Sequence, residues 1–142
     1  PNDLNIKRIV PETVISILLN KKLIIRSSGK QKRDYIFVED VTRAYFKLYK
    51  NLKDKKGDLK IYNIGSKYNL NTIQIIKKIY KLMKVTSNYK IKNFSRSEIN
   101  NQRLNYNKIR KELNWKPIYN LDQSLSKTID WYKKNYKKII LN

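Results

Sequence analysis

Between Leu23 and Leu52 the chain passes from strand-like to turn-like to strand-like and then to helical spacing, and few topologies accommodate that succession. Leu23-Ile24-Ile25 is a short apolar run suited to a buried strand, and Gly29 after it marks a turn where positive φ carries no side-chain penalty. Tyr35, Ile36, Phe37 and Val38 then alternate as a short half-buried strand does. Asp40 stands ahead of Val41, Ala44, Tyr45, Leu48 and Leu52, which have the spacing of a helix stripe, so Asp40 is placed as the N-cap.

The flanking segments repeat this alternation of short strands and helices. Arg8 to Asn20 is apolar enough for a helix packed on most sides, and Pro11 fits its first turn. Beyond a charged loop containing Gly57, Ile61-Tyr62-Asn63-Ile64-Gly65 has the form of a strand ending at a turn. Asn71 or Thr72 caps a helix carrying Ile73, Ile76, Ile79, Tyr80 and Met83 on one face, and Tyr89 to Lys92 is a short strand. Phe94 to Gln102 is polar and irregular, and Asn105 begins a short helix bearing Ile109 and Leu113. Asn114 then suits a left-handed helix end. Leu121 to about Ile140 is a last helix, with Leu121, Leu125, Ile129, Tyr132 and Tyr136 in one stripe. The expected fold is therefore α/β, with helices starting near Arg8, Asp40, Asn71 and Leu121 packed around short strands near Ile24, Ile36, Ile61 and Ile91. A chain of 142 residues suits one domain.

Composition limits the chemistry more firmly than it suggests a partner. With no Cys and no His, disulfides, thiolate nucleophiles, zinc-finger sites and imidazole bases are excluded, and no metal site is expected. The 33 Lys+Arg against 11 Asp+Glu give a formal charge of +22, which with the many tyrosines raises a nucleic-acid-binding module as the alternative function. The cations are mostly dispersed lysines, however, and no Arg-rich block or RNA-binding aromatic signature accompanies them, so a specific nucleic-acid partner is not expected. No apolar run reaches the roughly 20 residues that span a bilayer, and no membrane partner is expected.

Arg33-Asp34-Tyr35-Ile36-Phe37-Val38-Glu39-Asp40 resembles the Arg-Asp-Tyr-x-x-Val-Glu-Asp block of extended short-chain dehydrogenase/reductase enzymes, the NAD-dependent epimerases and 4,6-dehydratases of nucleotide sugars. Further matches follow in the family's order: Arg8-Ile9-Val10-Pro11, Leu23-Ile24-Ile25-Arg26, Tyr62-Asn63-Ile64-Gly65, Glu112-Leu113-Asn114-Trp115-Lys116-Pro117 and Thr128-Ile129-Asp130-Trp131-Tyr132. Asn114 departs from the family's glycine. Glu98-Ile99-x-x-Gln102 followed by Leu104 is more similar to the CDP-glucose and dTDP-glucose 4,6-dehydratases than to the epimerases, and Arg96 does not align with the arginine found there.

The resemblance implies that Arg33 holds a phosphate of a nucleotide sugar, a role suited to a planar, always-charged fork of donors. It also implies that Arg8, Ile25 and Arg26 lie on segments lining the nucleotide pocket and that Asn63 contacts the same ligand. Local sequence alone leaves Arg33 equally suited to a solvated loop, Arg8 and Arg26 to helix-end solvation, and Asn63 to an Asx-type turn. Residues 1–142 are expected to be the C-terminal substrate-binding portion of an extended Rossmann-type enzyme, with Pro1-Asn2-Asp3 similar to the end of a Tyr-Gly-Pro-x-Asp turn. The implied reaction of the whole enzyme is oxidation at sugar C4 by NAD, loss of water across C5 and C6, and return of the hydride to C6, in the supply of surface-polysaccharide precursors. A cytoplasmic homodimer is implied as well.

No catalytic residue is expected within this chain. The family's NAD turn is Gly-x-x-Gly-x-x-Gly, and Gly29, Gly57 and Gly65 cannot form it, so no cofactor is expected on this portion alone. Tyr49 with Lys53 and Tyr80 with Lys84 have the Tyr-x-x-x-Lys spacing, but they fall after the substrate arginine, whereas the family's pair precedes it. Sequencing the coding region ahead of Pro1 is expected to show a glycine-rich turn after a strand, then a Tyr-x-x-x-Lys pair. A region lacking both would remove the enzyme assignment.

Overall fold

The computed structural model describes residues 3–52, 60–95 and 98–141; Gly57 and Arg96 lie outside the described residues, as does Lys53 of the first Tyr-x-x-x-Lys pair. Among the described residues, five helices and four short strands follow in the order α1 (Ile9–Leu18), β1 (Leu23–Ile25), β2 (Lys32–Asp34), α2 (Val38–Leu52), β3 (Asn69–Asn71), α3 (Thr72–Met83), β4 (Tyr89–Ile91), α4 (Asn107–Leu113) and α5 (Leu121–Leu141). The α/β class and the packing of helices around short strands are as the sequence indicates. β1 pairs parallel with β4, Ile24 opposite Lys90, and β2 pairs antiparallel with β3, Arg33 opposite Leu70.

The main core lies where α1, α3, α5 and β1 meet. Val14, Leu23, Ile75, Ile76, Ile79, Ile129 and Tyr132 are buried there, and each fully buried aliphatic side chain contributes roughly 1.5–3 kcal/mol. The stripes on α3 and α5 supply most of these residues, because spacing of three and four keeps them on the packed face. Asn71 caps α3 by accepting from Gln74 N at 2.8 Å, while the Gln74 side chain accepts from Asn71 N, a complete capping box. Asn120 and Gln123 form the same reciprocal pair at the head of α5. A smaller core joins Ala44 of α2 to Ile109 of α4 and to Trp115.

Asn114 adopts φ 46° and ends α4 in the left-handed region, as expected of an asparagine replacing glycine. Gly29 sits at φ +75°, which favours glycine at this turn, and a Cβ there would lie 2.7 Å from Ile73 Cδ1 and displace that side chain.

Three expectations from the sequence are corrected. The second strand is Lys32–Asp34 and not Tyr35–Val38: only Tyr35 N continues toward the neighbouring strand, bonding Tyr68 O at 3.0 Å, and the chain turns into α2 at Val38. Tyr35, Ile36, Phe37 and Val38 all line one cavity and do not sit in a ladder. The Ile61–Gly65 segment forms no strand among the described residues, and the strand of that region is Asn69–Asn71, whose polar sequence carries no strand pattern.

Asp40 is not an N-cap. It lies inside the first turn of α2, 1% exposed, and its carboxylate accepts from Ile118 N at 2.9 Å, Tyr119 N at 3.3 Å and the Arg43 guanidinium at 3.1 Å. It therefore joins α2 to the segment after Trp115. Removing it strands two backbone donors, so Asp40→Ala is expected to lower stability by about 2–4 kcal/mol in urea unfolding followed by tryptophan fluorescence.

Candidate functional site

β1 and β2 deliver two arginines to one cavity. Arg26 follows β1 and Arg33 sits in the middle of β2, and together with Ile25, Glu12, Tyr35 and Glu98 they line a space of about 200 Å³. Arg33 Nη1 donates to Ile99 O at 2.6 Å and Lys32 O at 2.9 Å, and its Nη2 lies 3.4 Å from Glu98 Oε2. Arg26 Nη2 donates to Lys7 O at 2.8 Å and Glu12 Oε2 at 2.9 Å. Both guanidinium groups are thus oriented by backbone carbonyls and balanced by a carboxylate. Planar forks held this way can present further donors to an anion in two directions.

The backbone around Arg33 is fixed by its neighbour. Asp34 Oδ1 accepts from Ser66 N at 3.0 Å and Ser66 Oγ at 2.9 Å, and Oδ2 accepts from Leu104 N at 3.2 Å. Lys32 is held on the outer edge, its N donating to Asn100 O at 2.8 Å and its O accepting from Gln102 N at 3.1 Å. Gly65 belongs to the same knot, since a Cβ there would stand 2.8 Å from Asp34 Oδ2.

Of the predicted site residues, Ile25, Arg26 and Arg33 are brought together. Arg8 lines a second, larger cavity of about 570 Å³, where it pairs with Asp3 at 3.1 Å. Tyr35 belongs to both cavities and forms the wall between them. Burial pushes its phenol up to about 12, with Arg33 pulling the other way, so it stays a neutral hydroxyl at physiological pH. Asn63 is exposed on the extended segment and lines neither cavity.

Sequence reasoning missed Glu12 as the partner of Arg26 and Tyr35 as a shared wall. Glu12 directly follows Pro11 in the first turn of α1, where an acid is favoured by the helix dipole whatever its partners, so no local signal marked it.

The larger cavity has an apolar floor of Val10, Pro11, Phe37 and Leu125. On its rim Tyr119 Oη donates to Glu39 Oε2 at 2.5 Å, and Lys127 Nζ donates to Glu39 Oε1 at 3.1 Å. The hydrogen bond from Tyr119 is the main reason Glu39 is held below the usual carboxylate range, and the same bond raises Tyr119. A tyrosine tied to a carboxylate is a poor base, despite the lysine beside it. Tyr80 is likewise unavailable, since it is 2% exposed and its hydroxyl donates to Asn88 O at 2.8 Å. Tyr49, by contrast, is 63% exposed on α2, away from both cavities. Among the described residues no group of three or more acidic residues could hold a metal ion, and no helix is long and apolar enough to cross a membrane.

The fold is that of solved nucleotide-sugar enzymes. The UDP-glucose 4-epimerase of Thermotoga maritima, solved with UDP-glucose, superposes with a TM-score of 0.79 at 25% identity, covering 91% of this chain and 40% of its own. The dTDP-glucose 4,6-dehydratase of Bacillus anthracis, solved with NAD, gives 0.77 at 25% identity, covering 93% and 41%. This is the class of extended, Rossmann-type nucleotide-sugar epimerases and dehydratases.

Within it, the family model described as GDP-mannose 4,6 dehydratase matches residues 3–128, and the chain belongs to that family. The mouse dTDP-D-glucose 4,6-dehydratase is 28% identical over 137 residues, covering 92% of this chain and 37% of the mouse protein. The Escherichia coli dTDP-glucose 4,6-dehydratase is 28% identical over 141 residues, covering 91% and 38%. The chain spans less than half the length of the curated relatives it matches.

Glu98 competes for Arg33 with any incoming anion. Because the Arg33–Glu98 contact is long and both side chains are about one-third exposed, the pair is worth roughly 0.2–1 kcal/mol. Glu98→Gln is therefore expected to tighten binding of inorganic pyrophosphate to the whole protein by about 1.5–5-fold in calorimetric titration.

Proposed function

We propose that this chain is the C-terminal, nucleotide-sugar-binding portion of an NAD-dependent 4,6-dehydratase or epimerase, with the 4,6-dehydratase favoured. The observation that carries the reading is Arg33. It is oriented by Ile99 O and opens onto the cavity it shares with Arg26 and Ile25, as a phosphate-holding guanidinium would be. Glu98-Ile99-x-x-Gln102 and the 4,6-dehydratase relatives favour the dehydratase. Arg8 and Asn63 are kept as contacts made once the ligand and the rest of the enzyme are in place.

NAD does not fit the described residues. Gly29 lies between two strands, Gly65 is packed against Asp34, and neither opens a helix, so there is no backbone cradle for a pyrophosphate at a helix start. In this reading NAD and the catalytic Tyr-x-x-x-Lys pair belong to an N-terminal Rossmann domain. Support for a larger enzyme comes from the 37% and 38% coverage of the relatives and from an apolar stripe on α2. Tyr45, Phe46 and Tyr49 are each more than 60% exposed there, and Ile61, at the start of the unpaired extended segment, is 71% exposed. Exposed apolar surface of this kind marks a docking face on soluble proteins. The same reading places the whole enzyme in the cytoplasm as a homodimer, and family membership leaves the nucleic-acid alternative without support.

Arg33→Lys keeps the cation and loses the fork. In the whole protein it is expected to weaken binding of dTDP-glucose or CDP-glucose by about 1–3 kcal/mol, measured against wild type and the exposed control Lys133→Ala. Binding equal to the control would return Arg33 to the role of a solvated cation.

A further inference from the structure

A cavity of about 480 Å³ between α2 and the segment after α4 shares no lining residue with the two cavities described above. Arg43, Lys47 and Lys50 line it from α2 and Lys116 from the segment after α4, and among the described residues its wall contains no carboxylate. The α2 cations recur at helical spacing on one face, apart from the face that carries Tyr45 and Tyr49. Lys47 Nζ donates to Asn114 O at 2.8 Å and so holds the two walls together. Arg43 is aimed by its 3.1 Å bond to the buried Asp40, while Lys50 and Lys116 are exposed.

Cations gathered around a concavity repel one another and focus an attractive field for anions. Charge alone would make only a general patch. Trp115 adds a neutral donor to the same wall: the residue is 2% exposed, and its indole Nε1–H is buried with no hydrogen-bond partner among the described residues. An indole N–H only donates, and a buried donor left unpaired is costly, so an acceptor brought to it gains more than one brought to an exposed donor. The atom is covered, and an acceptor reaches it only as side chains of the wall shift. The lysines of that wall have flexible four-carbon stems.

We propose that this cavity binds a compact phosphate-class anion, held by Arg43, Lys50 and Lys116, with the Trp115 N–H as its neutral donor. Bound there, the anion joins α2 to the Trp115 segment and adds to the ties that Asp40 and Lys47 already make between them. The site is separate from Arg33 and does not depend on the reading of that residue.

The test uses the whole protein and calorimetric titration with inorganic pyrophosphate. Wild type is expected to show a binding component that Arg33→Lys leaves unchanged. That component weakens about tenfold in Lys50→Ala/Lys116→Ala and about threefold in Trp115→Phe, which keeps an aromatic ring and loses the N–H. Lys133→Ala/Lys137→Ala, which removes the same charge from exposed positions of α5, leaves it unchanged. Glucose 1-phosphate, titrated in parallel, distinguishes a phosphate ester from the free anion as the ligand, and tighter binding of either supports the site. Absence of the component would overturn the proposal. An equal loss in the α5 control would do so too, by reducing the effect to net charge, and so would unchanged affinity in Trp115→Phe. If Trp115→Phe does not fold, the two double variants carry the test.

Discussion

The carboxylate of Asp34 holds together segments far apart in sequence. Through Ser66 N, Ser66 Oγ and Leu104 N it ties β2 to the turn after the Ile61–Gly65 segment and to the chain leading into α4. Ser66 extends the knot, its one hydroxyl proton shared between Asp34 Oδ1 at 2.9 Å and the nearer Tyr35 O at 2.6 Å while its oxygen accepts from Tyr68 N at 2.9 Å. A charged acceptor taking several donors binds each more strongly than a neutral one would, and leaving such donors unpaired costs more than the bonds themselves add. Arg33 and Tyr35, the residues on either side of Asp34, are consequently fixed in direction, one toward Ile99 and the other between two cavities.

A second carboxylate does related work. Asp40, almost fully buried, fastens the first turn of α2 to Ile118 and Tyr119, and the turn after Trp115 delivers the chain to α5. The Arg-Asp-Tyr and Val-Glu-Asp motifs are therefore joined through their aspartates to parts of the chain that carry the other motifs. Motif order along the sequence corresponds here to a physical network, in which each of the two aspartates satisfies backbone donors of a later segment. Arg33 in this block opens instead onto the cavity it shares with Arg26.

This explains what was legible in the sequence and what was not. The helices were readable because the stripes of α1, α3 and α5 enter the main core and Ala44 and Ile109 of α2 and α4 a smaller one, although Tyr45 of the expected α2 stripe is exposed; Asn71, Asn114 and Gly29 were readable because capping and positive φ are local matters. The strands were harder to place. Three-residue strands have too little length for alternation to show, so the Tyr35–Val38 pattern was a cavity wall and Asn69–Asn71 gave no signal. Asp40 looked like a cap because acceptors of that type cap helices, and nothing local shows that its partners lie nearly eighty residues further on. At the site, Arg26 and Arg33 were marked by motif order, whereas Glu12 is defined only by what β1 brings beside it.

The two arginine–carboxylate pairs also differ in a way that bears on how a ligand enters. Arg26 and Glu12 are 2.9 Å apart, and Arg26 has a further bond to Lys7 O, so exchanging Glu12 for a phosphate would forfeit a good charge-assisted contact. Arg33 and Glu98 are 3.4 Å apart, while the stronger bonds of Arg33 go to the carbonyls of Ile99 and Lys32. Those carbonyl bonds need not break when Glu98 yields. The guanidinium can therefore exchange a weak carboxylate partner for a phosphate without losing its orientation, and the cost of freeing it stays within the roughly 0.2–1 kcal/mol of an exposed pair. The asymmetry gives the cavity a direction, with an exchangeable cation at the Arg33 end and a fixed donor–acceptor pair at the Arg26 end.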